Sequence, residues 1–211
     1  MSESCAVPDQ FVYIVDDDEA LRDSLVWLLE SSGYRVLAYD SAEEFLQVYV
    51  PAMTGCLVLD VRMPGMSGLE LFEELRARHC TLPVIFITGH GDVPMAVSAV
   101  KKGAVDFIEK PFSERDMLQL IAESLAAEQE NRGRRQLEAD TARRLAHLTQ
   151  REREVLDLII AGKLNKQIAD VLGISIKTVE VHRARVMEKM EAQSLAELVQ
   201  NVLAAETSHG R

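Results

Sequence analysis

Asp17, Asp60, Thr88 and Lys110 each stand just beyond a short apolar run, at residues 11–15, 56–59, 84–87 and 104–108. Runs of this length, bounded by Gly, Pro or charge and separated by helical patterns, read as buried parallel strands. The carboxyl ends of parallel strands share one edge, where open α/β sheets hold ligands. Two carboxylates, a hydroxyl and an ammonium would meet there. Crowded carboxylates repel unless a cation neutralises them, and oxygen donors select a hard ion such as Mg²⁺ or Mn²⁺. A carboxylate beside such an ion can attack a phosphoryl group and form an acyl phosphate. A lysine and a hydroxyl would clamp the transferred oxygens.

Taken singly, these residues have plainer readings. Asp16, Asp17 and Asp18 suit the solvated start of a helix, Lys110 an exposed lysine, and Thr88 a strand end. Asp60 is harder to dismiss. It ends the run Cys56-Leu-Val-Leu, and Pro64, Gly65 and Gly68 then make a tight loop that turns it out of the sheet edge. The joint occurrence at successive strand ends carries the chemistry.

The elements that position these groups alternate strand and helix five times between Phe11 and about Leu125. Helices are predicted at 19–32, 42–49, 68–78, 93–102 and from 114 onward. The second strand, at 34–38, is partly polar and belongs nearer an edge. Ser41 with Glu44, Ser67 with Glu70 and Ser113 with Asp116 mark helix starts as capping boxes or close variants. Five such units predict a doubly wound parallel sheet with helices on both faces.

The last of these helices carries the stripe Leu118, Ile121 and Leu125, then turns polar through Arg144 with Gly133 as its only breaker. One glycine costs a helix about 1 kcal/mol relative to Ala, so a continuous exposed helix is favoured over a disordered tether. From Leu148 onward no strand pattern remains. Four helices follow, at 150–161, 166–172, 177–190 and 195–204, with Thr149–Glu152 and Ser194–Glu197 as further caps. The expected organisation is a disordered segment 1–10, an α/β domain 11–125, a helical linker 126–146 and an all-α domain 147–211.

The net charge of −11 is unevenly spread. Residues 1–124 hold nine Lys/Arg against 21 Asp/Glu, whereas residues 125–211 hold 14 against 13. Between Lys163 and Lys189 six basic residues face three acidic ones. Such asymmetry points to two domains with different partners. The N-terminus has neither the basic start nor the apolar stretch of a signal peptide. No run reaches the roughly 18 apolar residues of a membrane helix. Cys5, Cys56 and Cys80 lack metal-ligand spacing. A cytoplasmic protein without a membrane partner is expected.

Val15-Asp-Asp-Asp, Leu59-Asp60, Met63-Pro-Gly-Met-Ser-Gly68, Ile87-Thr88-Gly-His and Lys110-Pro111-Phe resemble the receiver domain of two-component response regulators. The resemblance implies a flavodoxin-like sheet of strand order 2-1-3-4-5. It makes Asp60 the phosphoacceptor, served by a sensor histidine kinase. Asp17 becomes a direct Mg²⁺ ligand, Asp16 one acting through water, and the Arg62 backbone carbonyl completes the protein ligands. Thr88, the Gly89 N–H and Lys110 would bind the phosphoryl group, and Lys110–Pro111 would be a cis peptide. Phe107 matches the aromatic that changes rotamer on activation; a plain core role is the alternative. Arg62 and His90 flank the path of attacking water and would tune phosphate lifetime. Such a chain is not an enzyme beyond slow self-dephosphorylation.

Asn165-Lys-Gln-Ile-Ala-Asp-Val-Leu-Gly-Ile-Ser175 reads as helix, glycine turn and the start of a second helix, a helix-turn-helix pattern. With Leu148-Thr-Gln-Arg-Glu152 and Lys177-Thr-Val-Glu-Val-His182 it resembles the LuxR/FixJ (NarL/FixJ) DNA-binding domain, nearest the FixJ-type subgroup. Recognition-helix residues Lys177, Thr178, Glu180, Val181, Arg183 and Arg185 would face the major groove of promoter DNA. Asn165, Lys166 and Lys189 join them, the lysines suiting phosphates. The resemblance implies phosphorylation-dependent homodimerisation through the fourth helix, fifth strand and fifth helix, and contact with RNA polymerase.

Overall fold

A computed structural model describes residues 10–89, 97, 98, 100, 101 and 103–209. The chain divides into two compact units, Met1–Asn131 and Arg132–Arg211.

The first unit is built on β1 (Phe11–Val15), β2 (Arg35–Tyr39), β3 (Gly55–Asp60), β4 (Val84–Thr88) and β5 (Asp106–Glu109). All pair in parallel in the order β2-β1-β3-β4-β5, the predicted order with the polar second strand at an edge. β3 and β4 are buried along their whole length, as expected of strands covered on both faces.

Alternation splits these strands between two cores. Tyr13, Leu57, Leu59 and Phe86 meet Phe45 of α2 (Ala42–Val48) and Leu71 and Leu75 of α3 (Gly68–Ala77). Ile14, Val58, Ile85 and Ile87 meet Leu25 and Leu29 of α1 (Glu19–Ser31) and Met117 and Ile121 of α4 (Glu114–Ala146). A fully buried Leu or Phe contributes roughly 1.5–3 kcal/mol, so each layer fixes strand register firmly.

The helix starts follow the sequence chemistry. Ser67 and Glu70 form a full capping box, as do Thr149 and Glu152. At α2 the box is a variant: Ser41 accepts from the Glu44 N–H, while the Glu44 carboxylate accepts from the Asp40 N–H instead. The α4 helix runs 33 residues without a break at Gly133, as expected.

Several boundaries differ. The apolar run 104–108 becomes strand only from Asp106, where pairing with Ile85 begins. The division between the compact units falls after Asn131, within α4 and within the stretch 126–146 read as a linker. Gln10, expected in the disordered segment, donates its amide to the Leu125 carbonyl at 2.9 Å and to Glu128 at 2.6 Å. The rest of that segment, the start of the predicted fourth helix and His90 lie outside the described residues.

The second unit contains the end of α4, then α5 (Gln150–Ile160), α6 (Asn165–Leu172), α7 (Ile176–Lys189) and α8 (Leu195–His209). Leu148, Val155, Ile159, Ile168, Val179, Val186 and Leu198 make its core. Gly173, in the left-handed conformation, ends α6, and Ser175 caps α7 by accepting from the Thr178 N–H.

Candidate functional site

Asp16 follows β1 and is fully buried. Its Oδ1 accepts from the Asp18 N–H at 2.8 Å. Asp18 turns the chain into α1, capping it through the Ala20 and Leu21 N–H groups. Asp17, between them, is exposed.

Asp60 closes β3 and is 7% exposed. Its Oδ2 accepts from the Arg62 N–H at 3.1 Å, and its Oδ1 accepts from Lys110 Nζ at 2.9 Å. The same ammonium reaches Asp16 Oδ2 at 3.2 Å. Gly68 lies against this strand end so closely that a Cβ there would stand 2.0 Å from the Asp60 carbonyl oxygen. Only glycine lets the loop return across the phosphoacceptor candidate.

Thr88 closes β4 fully buried, its hydroxyl donating to the Gly89 carbonyl at 3.3 Å. Lys110 follows β5 with a cis bond to Pro111. Phe107 is half-buried and packs on the α2–α3 side core, opposite Phe86 in register. Of the four predicted strand-end residues, Asp60, Thr88 and Lys110 stand together at one sheet edge, where the second buried carboxylate bonded to Lys110 is Asp16 while Asp17 is exposed.

Burial pushes the Asp60 carboxyl above the ordinary carboxylate range, and the Asp16 charge adds to this against the opposing pull of Lys110. Burial lowers the Lys110 ammonium, yet the Asp60 hydrogen bond and the two carboxylate charges outweigh it and raise the net value. The charge excess is acidic, which suits a further cation.

Among the described residues no three His, Cys, Asp or Glu side chains are gathered as a metal cage. The expected ammonium among the carboxylates is Lys110, which stands between Asp16 and Asp60 rather than beside Asp17, because two buried carboxylates need a counter-charge. The donor set still fits Mg²⁺ in kind. Asp16, Asp17, Asp60 and the Arg62 carbonyl are hard oxygens, and Mg²⁺ retains several waters and takes only one or two carboxylates.

In the second unit, Lys166, Lys177, Thr178, Glu180, Val181 and Arg185 are exposed, with Asn165 and Arg183 half-buried. These residues of α6 and α7 are mainly basic and neutral, with Glu180 as the one acidic member of the set. Lys163, Leu164 and Ile176 line a groove beside Lys166, Glu180 and Arg183; the sequence reading had not singled out these three. Lys189 departs from its expected phosphate role. Its Nζ is bound to Glu152 at 2.6 Å and to the His147 carbonyl at 3.3 Å. This pairing draws the Glu152 carboxyl down to about 2, with the Thr149 N–H assisting.

Two polar side chains near the acidic pocket escaped the sequence reading. Arg22 donates to the Asp16 carbonyl at 2.7 Å, and Glu43 accepts from the Met66 N–H at 3.0 Å. Asp18 and Arg22 have helical i,i+4 spacing, which hints at a local pair rather than this contact. Nothing in the sequence links Glu43 to a loop 23 residues on.

Comparison with known proteins agrees with this geometry. Residues 12–122 match the response regulator receiver domain family, and residues 146–202 match the luxR family of bacterial regulatory proteins. The chain is 51% identical over 194 residues to the transcriptional regulatory protein FixJ of Azorhizobium caulinodans, covering 92% of each. It is 48% identical to FixJ of Rhizobium meliloti, covering 93% of this chain and 96% of that one. The solved structure of the response regulator StyR superposes with a TM-score of 0.82 at 46% identity, covering 92% of this chain and 98% of that chain. The chain belongs to the response regulators, as a phosphorylation-regulated transcription factor that joins a receiver domain to a luxR-type DNA-binding domain.

Proposed function

We propose that Asp60 is the phosphoacceptor, charged by a sensor histidine kinase. The observation that carries this reading is the Lys110 ammonium bonded to both Asp60 and Asp16 at the shared strand edge. An Asp60 carboxylate oxygen forms a bond to phosphorus as the P–N bond of the kinase phosphohistidine breaks. The leaving imidazole nitrogen keeps the electron pair and takes a proton. Asp17, Asp60 and the Arg62 carbonyl would hold Mg²⁺ (or Mn²⁺) directly and Asp16 through water, and the ion would supply neutralising charge for phosphoryl transfer. Lys110 supplies a second cation, and the Arg62 N–H orients the Asp60 carboxylate.

After transfer, the phosphoryl oxygens draw the Thr88 hydroxyl away from the Gly89 carbonyl and recruit the Gly89 N–H. Phe107, only half-buried beside Phe86, has room to follow Thr88. Arg62 and His90 tune the lifetime of the acyl phosphate, and self-dephosphorylation is slow. The receiver domain at 11–125 then self-associates as a homodimer, and the linker 126–146 connects it to the DNA-binding domain at 147–211. Pairing two DNA-binding domains raises their effective concentration at a two-half-site promoter. Asn165, Lys166, Lys177, Thr178, Glu180, Val181, Arg183 and Arg185 meet DNA there, and RNA polymerase is the downstream partner. The protein acts in the cytoplasm. No described helix is long and apolar enough to cross a membrane.

The deciding experiment is intact-mass and DNA-binding measurement with and without acetyl phosphate, for the parent and for Asp60→Ala. The parent should gain one phosphoryl mass and bind DNA more tightly. A phosphoryl adduct on Asp60→Ala would overturn the assignment.

A further inference from the structure

Two loops carry the proposed metal ligands, and each is held by a charged side chain from a helix that contributes no ligand itself. The first is the β1–α1 corner. Arg22, in the second turn of α1, donates Nη1 to the Asp16 carbonyl at 2.7 Å. That carbonyl belongs to the peptide plane leading into Asp17, so fixing it fixes the direction in which Asp17 leaves the backbone. The corner is fastened again by the Asp18 N–H on Asp16 Oδ1 at 2.8 Å.

The second is the β3–α3 loop. Its ends are tied by Val61 N–H to the Ile87 carbonyl at 3.0 Å and Gly68 N–H to the Val61 carbonyl at 3.1 Å. Glu43, in the first turn of α2, reaches across and accepts from the Met66 N–H at 3.0 Å. Its carboxylate covers Gly65, where a Cβ would stand 2.8 Å from Glu43 Oε1. Gly65 itself has φ +73°, so a side chain there would both strain the turn and displace the carboxylate. This loop carries the Arg62 carbonyl.

We propose that Arg22 and Glu43 are positioning residues that brace these two loops, so that the Asp17 carboxylate and the Arg62 carbonyl are presented together to a divalent cation. The inference rests on the Asp60 phosphoacceptor reading. Groups that orient ligands without binding metal commonly change metal affinity by about 10- to 100-fold.

Charge alone predicts the opposite sign for one of the pair. Removing the Arg22 cation from an acidic pocket would tighten Mg²⁺ binding, whereas removing a brace weakens it. For Glu43 the two effects share a sign, so Glu43→Gln separates them: it deletes the charge and keeps an acceptor oxygen.

The test is Mg²⁺ titration by calorimetry on the full chain, with amide exchange at Met66 and acetyl phosphate labelling alongside. Arg22→Ala and Glu43→Ala should each weaken Mg²⁺ binding about tenfold, and Glu43→Gln should stay within about threefold of the parent. Met66 protection without metal should fall in Glu43→Ala and persist in Glu43→Gln. Unchanged or tighter Mg²⁺ binding by Arg22→Ala, with the parent binding Mg²⁺ and labelled on Asp60, overturns the brace alone. A parent that takes neither Mg²⁺ nor a phosphoryl group overturns the phosphoacceptor reading, and the brace with it.

Discussion

The backbone amide of Lys110 donates to the carbonyl of Thr88 at 2.8 Å, so the two groups proposed to sense the phosphoryl are joined through the main chain. The Lys110 side chain meanwhile holds Asp60 and Asp16. A displacement of Thr88 is thus felt directly at the residue that neutralises the pocket. Lys110→Ala should destabilise the receiver by about 1–2 kcal/mol at neutral pH, below the full cost of a broken buried pair because a third of the lysine side chain is solvated. Urea unfolding would measure it. Added Mg²⁺ should recover part of the loss, since a second cation relieves the same repulsion.

Asp60→Asn should stabilise the protein at pH 7. Burial and Asp16 raise the Asp60 carboxyl, so its ionised form is disfavoured in the folded state. The resulting penalty is absent below the ordinary carboxylate value and develops as pH rises through the raised one. The asparagine variant escapes it. Melting at pH 4 and pH 7 should give a larger Tm difference between variant and parent at the higher pH, at about 2–4 °C for each kcal/mol. A difference independent of pH would contradict this.

The helical unit should respond to acid in the opposite sense. Glu152 is held by Lys189 first and by Thr149 next, which draws its carboxyl from 4.5 to about 2. The stabilisation is complete above the ordinary value and is lost as pH falls toward about 2. Glu152→Gln should remove on the order of 2 kcal/mol at pH 7, allowing for solvent at the lysine, and should flatten the acid limb of the unfolding curve.

Lys177 and Lys189 should separate in DNA binding. Lys177 is exposed on the first turn of α7, so Lys177→Ala should lower the slope of log affinity against log salt by about one. Lys189 is occupied by Glu152 and the His147 carbonyl. Its replacement by Ala should lower Tm and leave the salt slope intact.

The strand ends were legible because buried parallel strands are written as apolar runs, and the first polar residue after each run falls at the sheet edge by geometry. Asp60 and Thr88 emerged in this way, and Ser67–Glu70 and Thr149–Glu152 marked helices through purely local hydrogen bonds. Arg22 and Glu43 were not legible. Their partners are backbone atoms, which leave no residue-type signal, and Glu43 meets Met66 only once the sheet has brought α2 beside the β3–α3 loop. Lys189 misled for a related reason: an exposed-face lysine on a recognition helix looks the same whether it meets phosphate or a buried glutamate 37 residues earlier. The fifth strand starts at Asp106, where its paired register with β4 begins, although the Val105 N–H already donates to the Val84 carbonyl at 2.9 Å.

Among the described residues, the receiver's inner layers draw none later than Leu125, and the helical core draws none earlier than Leu145. Each fold is therefore complete in its own stretch of gene. A recombination event falling among the polar residues of α4 would hand over a whole signal input or a whole DNA-reading head without cutting either core. Deliberate chimera building has in that helix a permissive stretch for crossover.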